Sequence, residues 1–308
     1  MNNPLTYAIT ILLSSCFPLA AFAQLDTPFV HGTLSGSVLA TGGGRIMLLD
    51  QTGTIQWQHQ GQNCSDVWML DNGNVLHADN NVTEIDPKTN AIVWSYRPTQ
   101  QKGGATFSCQ RLLNGNTVVG ENSAGRIVEV DKSGKVVFEL KLPLTEPGSH
   151  NNLRMVRKLK NGNYLVCHKG ESLVREYTPN GDVVFEVKVS DVPYSAVRLD
   201  SGHTMVGHIN HISEYDTQGN IVWQFNKNEL EGLDIGMICG IHVQPNGNVV
   251  MGIYRAVQKA NGAGLLEITR SKELVWRYAN TSSKADRNMM SVQLLDSDGK
   301  PLPGDVLR

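Results

Sequence analysis

The chain alternates short apolar runs with polar turns, and the turns recur. An Asn-Gly step, or a close variant, punctuates "LDNGNVLHAD", "LLNGNTVVGE", "LKNGNYLVCH", "LDSGHTMVGH" and "QPNGNVVMGI", at Gly73, Gly115, Gly162, Gly202 and Gly247. A weaker copy, "LSGSVLATG", carries Gly36. Asn-Gly between two apolar runs is a hairpin signal and predicts type I′ turns, whose two central residues both need positive φ. A second hairpin alternates with the first: "LLDQTGTIQW", "EIDPKTNAIVW", "EVDKSGKVVF", "EYTPNGDVVF", "EYDTQGNIVW" and "EITRSKELVW". Each copy ends in a large aromatic: Trp57, Trp94, Phe138, Phe185, Trp223 and Trp276.

Two hairpins per unit make a four-stranded antiparallel blade, and steps of about 40 to 50 residues fit a β-propeller. The predicted fold is therefore all-β: a six-bladed propeller filling residues 24–308 as one domain, with no amphipathic helix. The aromatics are expected to pack between adjacent blades as core. The N-terminal "GSVLATGGGRIMLLDQTGTIQW" supplies three strands of one blade. The C-terminal "MMSVQLLDSDG" looks like an innermost strand without a blade of its own. Pairing the two, around Ser291 to Leu295, closes the ring and removes exposed sheet edges.

The first residues change the expected compartment. "YAITILLSSCFPLAAFA" is a long apolar run, and "AFA" before Gln24 has the small residues a signal peptidase needs, so residues 1–23 read as a signal peptide cleaved after Ala23. The alternative is lipidation of Cys16 in "LSSC". No later stretch is long enough to span a membrane. The expectation is a periplasmic or secreted monomer. A formal net charge of -2 gives no reason to expect nucleic acid. Cys64, Cys109, Cys167 and Cys239 remain after cleavage; they match no zinc spacing and read as buried thiols. Cys64 and Cys109 open neighbouring units at different heights, which argues against a bridge.

Candidate chemistry follows from the geometry of a blade. With strands named A to D from the axis outward, the A–B and C–D turns share one rim. The B–C and D–A connections share the other, called upper here. Six residues after each hairpin glycine, at the upper end of strand B, stand Gly42, Asp79, Glu121, His168, His208 and Ile253. Asn122, His211, Tyr254 and Arg255 follow close behind. Asn151, Asn152, Arg154 and His242 are assigned to the upper starts of A strands. The longest connections, "PLTEPGSHNN", "NKNELEGLDIGM" and "YRAVQKANGAG", lie on the same rim. Loops on a rigid scaffold commonly carry function. The expected site is one polar mouth: His168, His208, Tyr254 and Arg255 as candidate catalytic groups, with Asp79, Glu121, Asn122, Asn151, Asn152, Arg154, His211 and His242 as ligand-binding groups. Whether a metal joins them is open at this level.

"EIDPKTNAIVW" and "EYDTQGNIVW" resemble units of the bacterial quinoprotein-type (PQQ-like) propeller superfamily. "LKNGNYLV" and "LLNGNTVV" in a six-unit exported chain resemble arylsulfotransferase-like propellers most closely. Quinone-dependent members typically have eight blades and a vicinal Cys-Cys pair. This chain has no Cys-Cys dipeptide, so PQQ and its calcium are not expected. The arylsulfotransferase resemblance implies a sulfated top-face histidine with further histidines and an arginine; His168, His208, His211, His242, Arg154 and Arg255 supply those types, but none aligns to a catalytic motif. Three function classes stand open. One is a binding module for a small molecule, a glycan or a protein partner. A second is a transferase or hydrolase with a histidine nucleophile or base. A third is a polysaccharide lyase, for which His208, Tyr254 and Arg255 would suit.

Overall fold

The computed structural model describes residues 28–42, 44–61, 64–100, 105–144, 146, 148–279 and 287–302. The signal peptide, its cleavage point and Cys16 lie outside the described residues. Six antiparallel sheets form the ring. Blades 2 to 5 are consecutive in sequence, with A strands Asp66–Met69, Thr106–Arg111, Leu153–Lys158 and Pro193–Arg198. Blade 6 runs from Met237–Val243 (A) to Leu274–Ala279 (D). Blade 1 takes its B, C and D strands from Val38–Thr41, Arg45–Leu49 and Ile55–Gln60, and its A strand from Val292–Leu294. Val38 faces Leu294 and Ala40 faces Val292, so the two ends of the chain close the ring as expected. A second clasp was not legible: Phe29–His31 pairs with strand D of blade 6, Phe29 opposite Ala279 and His31 opposite Arg277, making that blade five-stranded. A 3-10 turn spans Lys227–Glu229, and among the described residues no helix is long and apolar enough to cross a membrane.

The apolar core is divided into six clusters, one at each seam between neighbouring blades. The seam between blades 4 and 5, for example, buries Met155, Leu165, Val174 and Val187 against Ala196, Val206 and Tyr215. Each repeat aromatic packs on one of these clusters. Trp276 is fully buried, and the other five are partly covered.

The hairpin turns differ from the type I′ expectation. Positive φ occurs at the glycines, 82° at Gly73 and 87° at Gly162, but not at the asparagines before them. Gly73 N–H donates to Leu70 C=O at 2.8 Å, and Leu70 N–H donates to Asn74 C=O at 2.8 Å. This is a type I turn followed by a left-handed glycine, a three-residue loop. The first asparagine holds it by accepting, through its side chain, from the backbone two residues on (Asn72 from Asn74 at 2.9 Å, Asn161 from Asn163 at 3.0 Å). The residue after the glycine reaches across its own blade to a strand-C glutamate: Asn74 to Glu84 at 2.7 Å, Asn163 to Glu176 at 2.6 Å, Asn248 to Glu267 at 2.8 Å. In blade 5 His203 fills the same place beside Glu214, at 2.8 Å.

These glutamates also tie one blade to the next. Glu84 pairs with Arg111 at 2.7 Å, Glu176 with Arg198 at 2.7 Å, Glu129 with Lys158, and Glu214 with Arg270. The same cations cover the repeat aromatics: Arg111 stands 5.1 Å from the centre of Trp94, Arg198 4.9 Å from Phe185, and Arg270 4.3 Å from Trp223. Glutamate and aromatic are opposite residues on strands C and D, as with Glu84 and Trp94, so one cation serves both.

A buried carboxylate with two uses has a measurable cost of removal. Glu176→Gln keeps the volume but leaves Arg198 without its counter-charge. It is expected to lower unfolding free energy by about 1 to 3 kcal/mol in urea titrations, discounted because the arginine is partly wet. A shift below about 0.5 kcal/mol would contradict the seam assignment. The cysteines give a second check. Cys64, Cys109, Cys167 and Cys239 are all buried and unbridged. Cys64 lies in the seam of blades 1 and 2, and Cys109 in that of blades 2 and 3. Burial pushes the thiol of Cys167 up to about 12 and that of Cys239 up to about 11. Ellman titration should find these four thiols silent in the native protein and reactive without reductant once it is unfolded.

Candidate functional site at the upper mouth

The upper end of each A strand presents one residue to the axis. Thr106 faces Glu121, Leu153 faces His168, Pro193 faces His208 and Ile238 faces Ile253. The next residues along are Phe107, Arg154, Tyr194 and Cys239, and with Ser65 and Met290 they line the axial opening. The opening narrows at once to a cavity of about 20 Å³, room for about one water. Asp66 plugs it below: its carboxylate takes both arms of Arg157, at 2.8 and 3.0 Å, and the Ser291 hydroxyl at 3.1 Å. The axial channel itself therefore has no room for more than a water, and only the open mouth above it could take anything larger at this end.

The ring is cationic. Arg154 lies between two aromatic faces, 4.2 Å from the centre of Phe107 and 5.1 Å from that of Tyr194, and donates to Met290 Sδ at 3.4 Å. Lys169 is half-buried nearby; burial first, and then the charge of Arg154, push its ammonium down to about 8. His150 is lowered by Lys169, by burial and by Arg154, with Glu146 opposing. Arg255 stacks 5.8 Å from the centre of Tyr254, at a left-handed φ of 55°. Among the described residues no carboxylate forms an ion pair with Arg154 or Lys169.

Most of the other expected mouth residues are committed to bonds within the protein, three of them across seams. Glu121 accepts from the Tyr96 hydroxyl at 2.5 Å and from Arg126 at 2.7 Å, linking blades 2 and 3. Asn122 donates to Ser149 C=O and accepts from Leu153 N–H, both at 2.9 Å, linking blades 3 and 4. Asn152 ties the D–A loop by donating to Glu146 C=O at 2.8 Å, and Asn151 N–H donates to Ser149 Oγ at 3.1 Å. His242 departs from its expected place. It opposes Val250, one pair from the lower end of a seven-residue strand, and its Nδ1 accepts from Leu294 N–H of blade 1 at 2.8 Å. Asp79 stays at the rim, accepting from Asn81 N–H at 2.8 Å.

The two strand-B histidines are buried in their own blades. His168 is 2 % exposed, and its Nε2 shares a hydrogen bond with the Tyr177 hydroxyl, 2.8 Å away. His208 sits between Asp191 and Ser213, at 2.5 and 2.8 Å. The order Asp–His–Ser looks like a nucleophilic triad. However, Ser213 is fully buried, and Gln224 donates to its oxygen at 2.8 Å while His208 Nε2 lies 2.8 Å from the same oxygen. No face of the serine is left for a substrate. His211 stacks on His208, ring centres 5.1 Å apart, and shares its Nε2 with Asn226 at 2.9 Å.

A wide concavity of about 690 Å³ opens on the lower rim, between the A–B turns of blades 3, 4 and 5. Its cations, unlike those above, are neutralised: Arg111 by Glu84, Lys158 by Glu129, Arg198 by Glu176, Lys160 by Asp200 and Arg157 by Asp66. Room favours the lower rim, and unbalanced charge favours the upper. An ionic ligand below would have to displace ion pairs already made.

The buried histidines set an acid limit. Burial, with Arg175 beside it, pushes His168 down to about 4. Burial does the same to His77, to about 4, against the pull of Asp79. An unfolded imidazole takes its proton near 6.5. Between 6.5 and about 4 the unfolded chain therefore binds more protons, and stability present above that window falls with falling pH. His168→Gln should flatten the fall by up to about 3 kcal/mol at pH 4, read from urea midpoints across pH 7 to 4. Identical slopes for variant and wild type would contradict this.

Residues 23–161 match the PQQ_2 family, described as outer membrane protein assembly factor BamB. No curated protein matches the chain. A protein of unknown function from Bacteroides caccae superposes with a TM-score of 0.73 at 24 % identity, over 84 % of this chain and 98 % of its own. Streptogramin B lyase gives 0.58 at 14 %, over 88 % and 93 %. Virginiamycin B lyase from Staphylococcus aureus gives 0.55 at 14 %, over 84 % and 90 %. At these identities the likeness is one of fold. With its hairpin repeats and its closed ring, the chain is a six-bladed β-propeller, and residues 23–161 of it match a PQQ-like repeat family.

Proposed function

We propose that the chain is an exported, monomeric binding protein that holds an anionic small molecule or glycan over its upper mouth. The observation that carries this is Arg154, sandwiched between Phe107 and Tyr194 beside Lys169, with no ion-paired carboxylate among the described residues. Two uncompensated cations close together repel one another, which is part of why Lys169 gives up its proton easily. A carboxylate, sulfate or phosphate would relieve that repulsion. The aromatic faces of Phe107, Tyr194 and Tyr254 would take the flat side of a ring. The export reading rests on residues 1–23, and the family description, an outer membrane assembly factor, is compatible with it. The enzyme alternative draws no support from His168 or His208, whose imidazoles are buried and hydrogen-bonded.

A protein-partner reading is favoured by a different observation. Ile92 and Val93, Val183 and Val184, and Ile221 and Val222 are exposed pairs on the outer strands of blades 2, 4 and 5. Such apolar pairs on open sheet edges suit a protein partner.

Calorimetric titration with 4-nitrophenyl sulfate and a uronate disaccharide, with maltose as the uncharged control, tests the anion reading. The charged probes should bind and maltose should not. Arg154→Ala and Lys169→Met should each weaken binding by about tenfold or more, the worth of a charged hydrogen bond, at unchanged melting temperature. Affinity should fall as pH rises past 8, where Lys169 loses its charge. Equal binding of maltose, or affinity indifferent to both substitutions, would overturn the reading.

A further inference from the structure

A second cluster lies away from the mouth, in the seam between blades 1 and 2. Cys64 stands just before strand A of blade 2, His77 is on strand B, and Asp79 follows that strand at the rim. One ligand atom from each, Cys64 Sγ, a ring nitrogen of His77 and a carboxylate oxygen of Asp79, lies within 4.8 Å of the other two. Cys64 Sγ and His77 Nδ1 are 3.8 Å apart. We propose that these three residues form a transition-metal site whose occupant is Zn²⁺.

The spacing suits the ion. With Zn–S near 2.3 Å and Zn–N near 2.0 to 2.1 Å, a tetrahedral centre puts sulfur and nitrogen about 3.6 Å apart. The pair therefore stands almost at coordination distance, and small rotations of Asp79 close the set. The donors are a thiolate, an imidazole and a carboxylate; borderline-soft Zn²⁺ accepts all three, whereas Ca²⁺ and Mg²⁺ want oxygen alone.

Two further features point the same way. Gly61 leaves space beside the sulfur, since a Cβ there would lie 2.3 Å from Cys64 Sγ. His59, on strand D of blade 1, tilts toward His77 with ring centres 6.2 Å apart, placing a second imidazole on the far side of the seam. Cys64 and His77 are buried while Asp79 is part-exposed, so the ion would enter from the upper rim past the carboxylate. Binding would release the thiol proton and, with His59 as fourth donor, would pin blade 1, which both chain ends assemble, to blade 2.

The other cluster of metal-ligand types, Asp191, His208 and His211, makes a useful contrast. Both nitrogens of His208 are already hydrogen-bonded there, so it would have to give up a bond to bind an ion.

The test is cobalt substitution of the full mature chain after chelator treatment, with Zn²⁺ competition. The site predicts one tightly held equivalent and a thiolate-to-metal charge-transfer band in the near ultraviolet that Zn²⁺ abolishes. The band should vanish in Cys64→Ser and persist in Cys239→Ser. Asp79→Asn, a substitution at the wet rim that should not disturb folding, should weaken cobalt binding by about tenfold or more. No retained metal in the wild type, a band unchanged in Cys64→Ser, or an affinity indifferent to Asp79→Asn would overturn the proposal.

Discussion

Six separate sheets arranged around an axis share no backbone ladder, so apart from single backbone bonds such as Ile238 N–H to Ile209 C=O at 3.0 Å, what holds one blade to the next must come from side chains. That constraint organises the molecule. Each seam has its own apolar cluster, and around the axis side chains of one A strand bond the backbone of the next. Gln293 of blade 1 accepts from Met69 N–H at 2.6 Å, and Asp66 of blade 2 from Cys109 N–H at 3.0 Å. Gln110 of blade 3 accepts from Lys158 N–H at 2.7 Å, and His242 of blade 6 from Leu294 N–H at 2.8 Å. Buried backbone groups that no neighbouring strand reaches must be satisfied in this way. Further out the strand-C glutamates do the same with charge. Polar residues near the axis are thus mostly seam fittings, and a functional group is recognised by having no such duty.

That distinction explains how much was legible in the sequence. The turn positions, the aromatic hairpins and the ring closure are local or repeated signals, and the structure follows them, with the turn type alone differing from the type I′ expectation. The glutamate of "EIDP", "EVDK" and "EYTP" was visible as a repeated letter. Its partner was not, because Arg111 stands 27 residues beyond Glu84 and is joined to it only by the packing of blades. The clasp at Phe29–His31 is three residues long and lacks a hairpin of its own, so nothing local marks it. His242 was placed on the wrong rim because strand A of blade 6 runs seven residues through a bulge, longer than its counterparts.

The site was legible as a rim but only partly as residues. Counting from the hairpin glycines reached the ends of strands B, which proved to be buried, bonded positions: Glu121 across a seam, His168 and His208 within their own blades. The mouth is built one strand further in, by the second residues of strands A. Arg154 was among the candidates for its charge. Phe107 was not, since an aromatic in a strand reads as core until its place over an arginine is seen. What separates Arg154 from Arg157, three residues on, is the carboxylate: Arg157 has Asp66, and Arg154 has two rings and a lysine.

The central claim is that this unbalanced charge exists to meet an anion, and that the better-balanced cavity below does not. A crystal of the mature chain soaked with 4-nitrophenyl sulfate measures it directly. The account predicts the sulfate within hydrogen-bonding distance of Arg154 and Lys169, with the aryl ring over Phe107 or Tyr194. Sulfate bound instead among Arg111, Lys158 and Arg198 on the lower rim, with the upper mouth vacant, would contradict it.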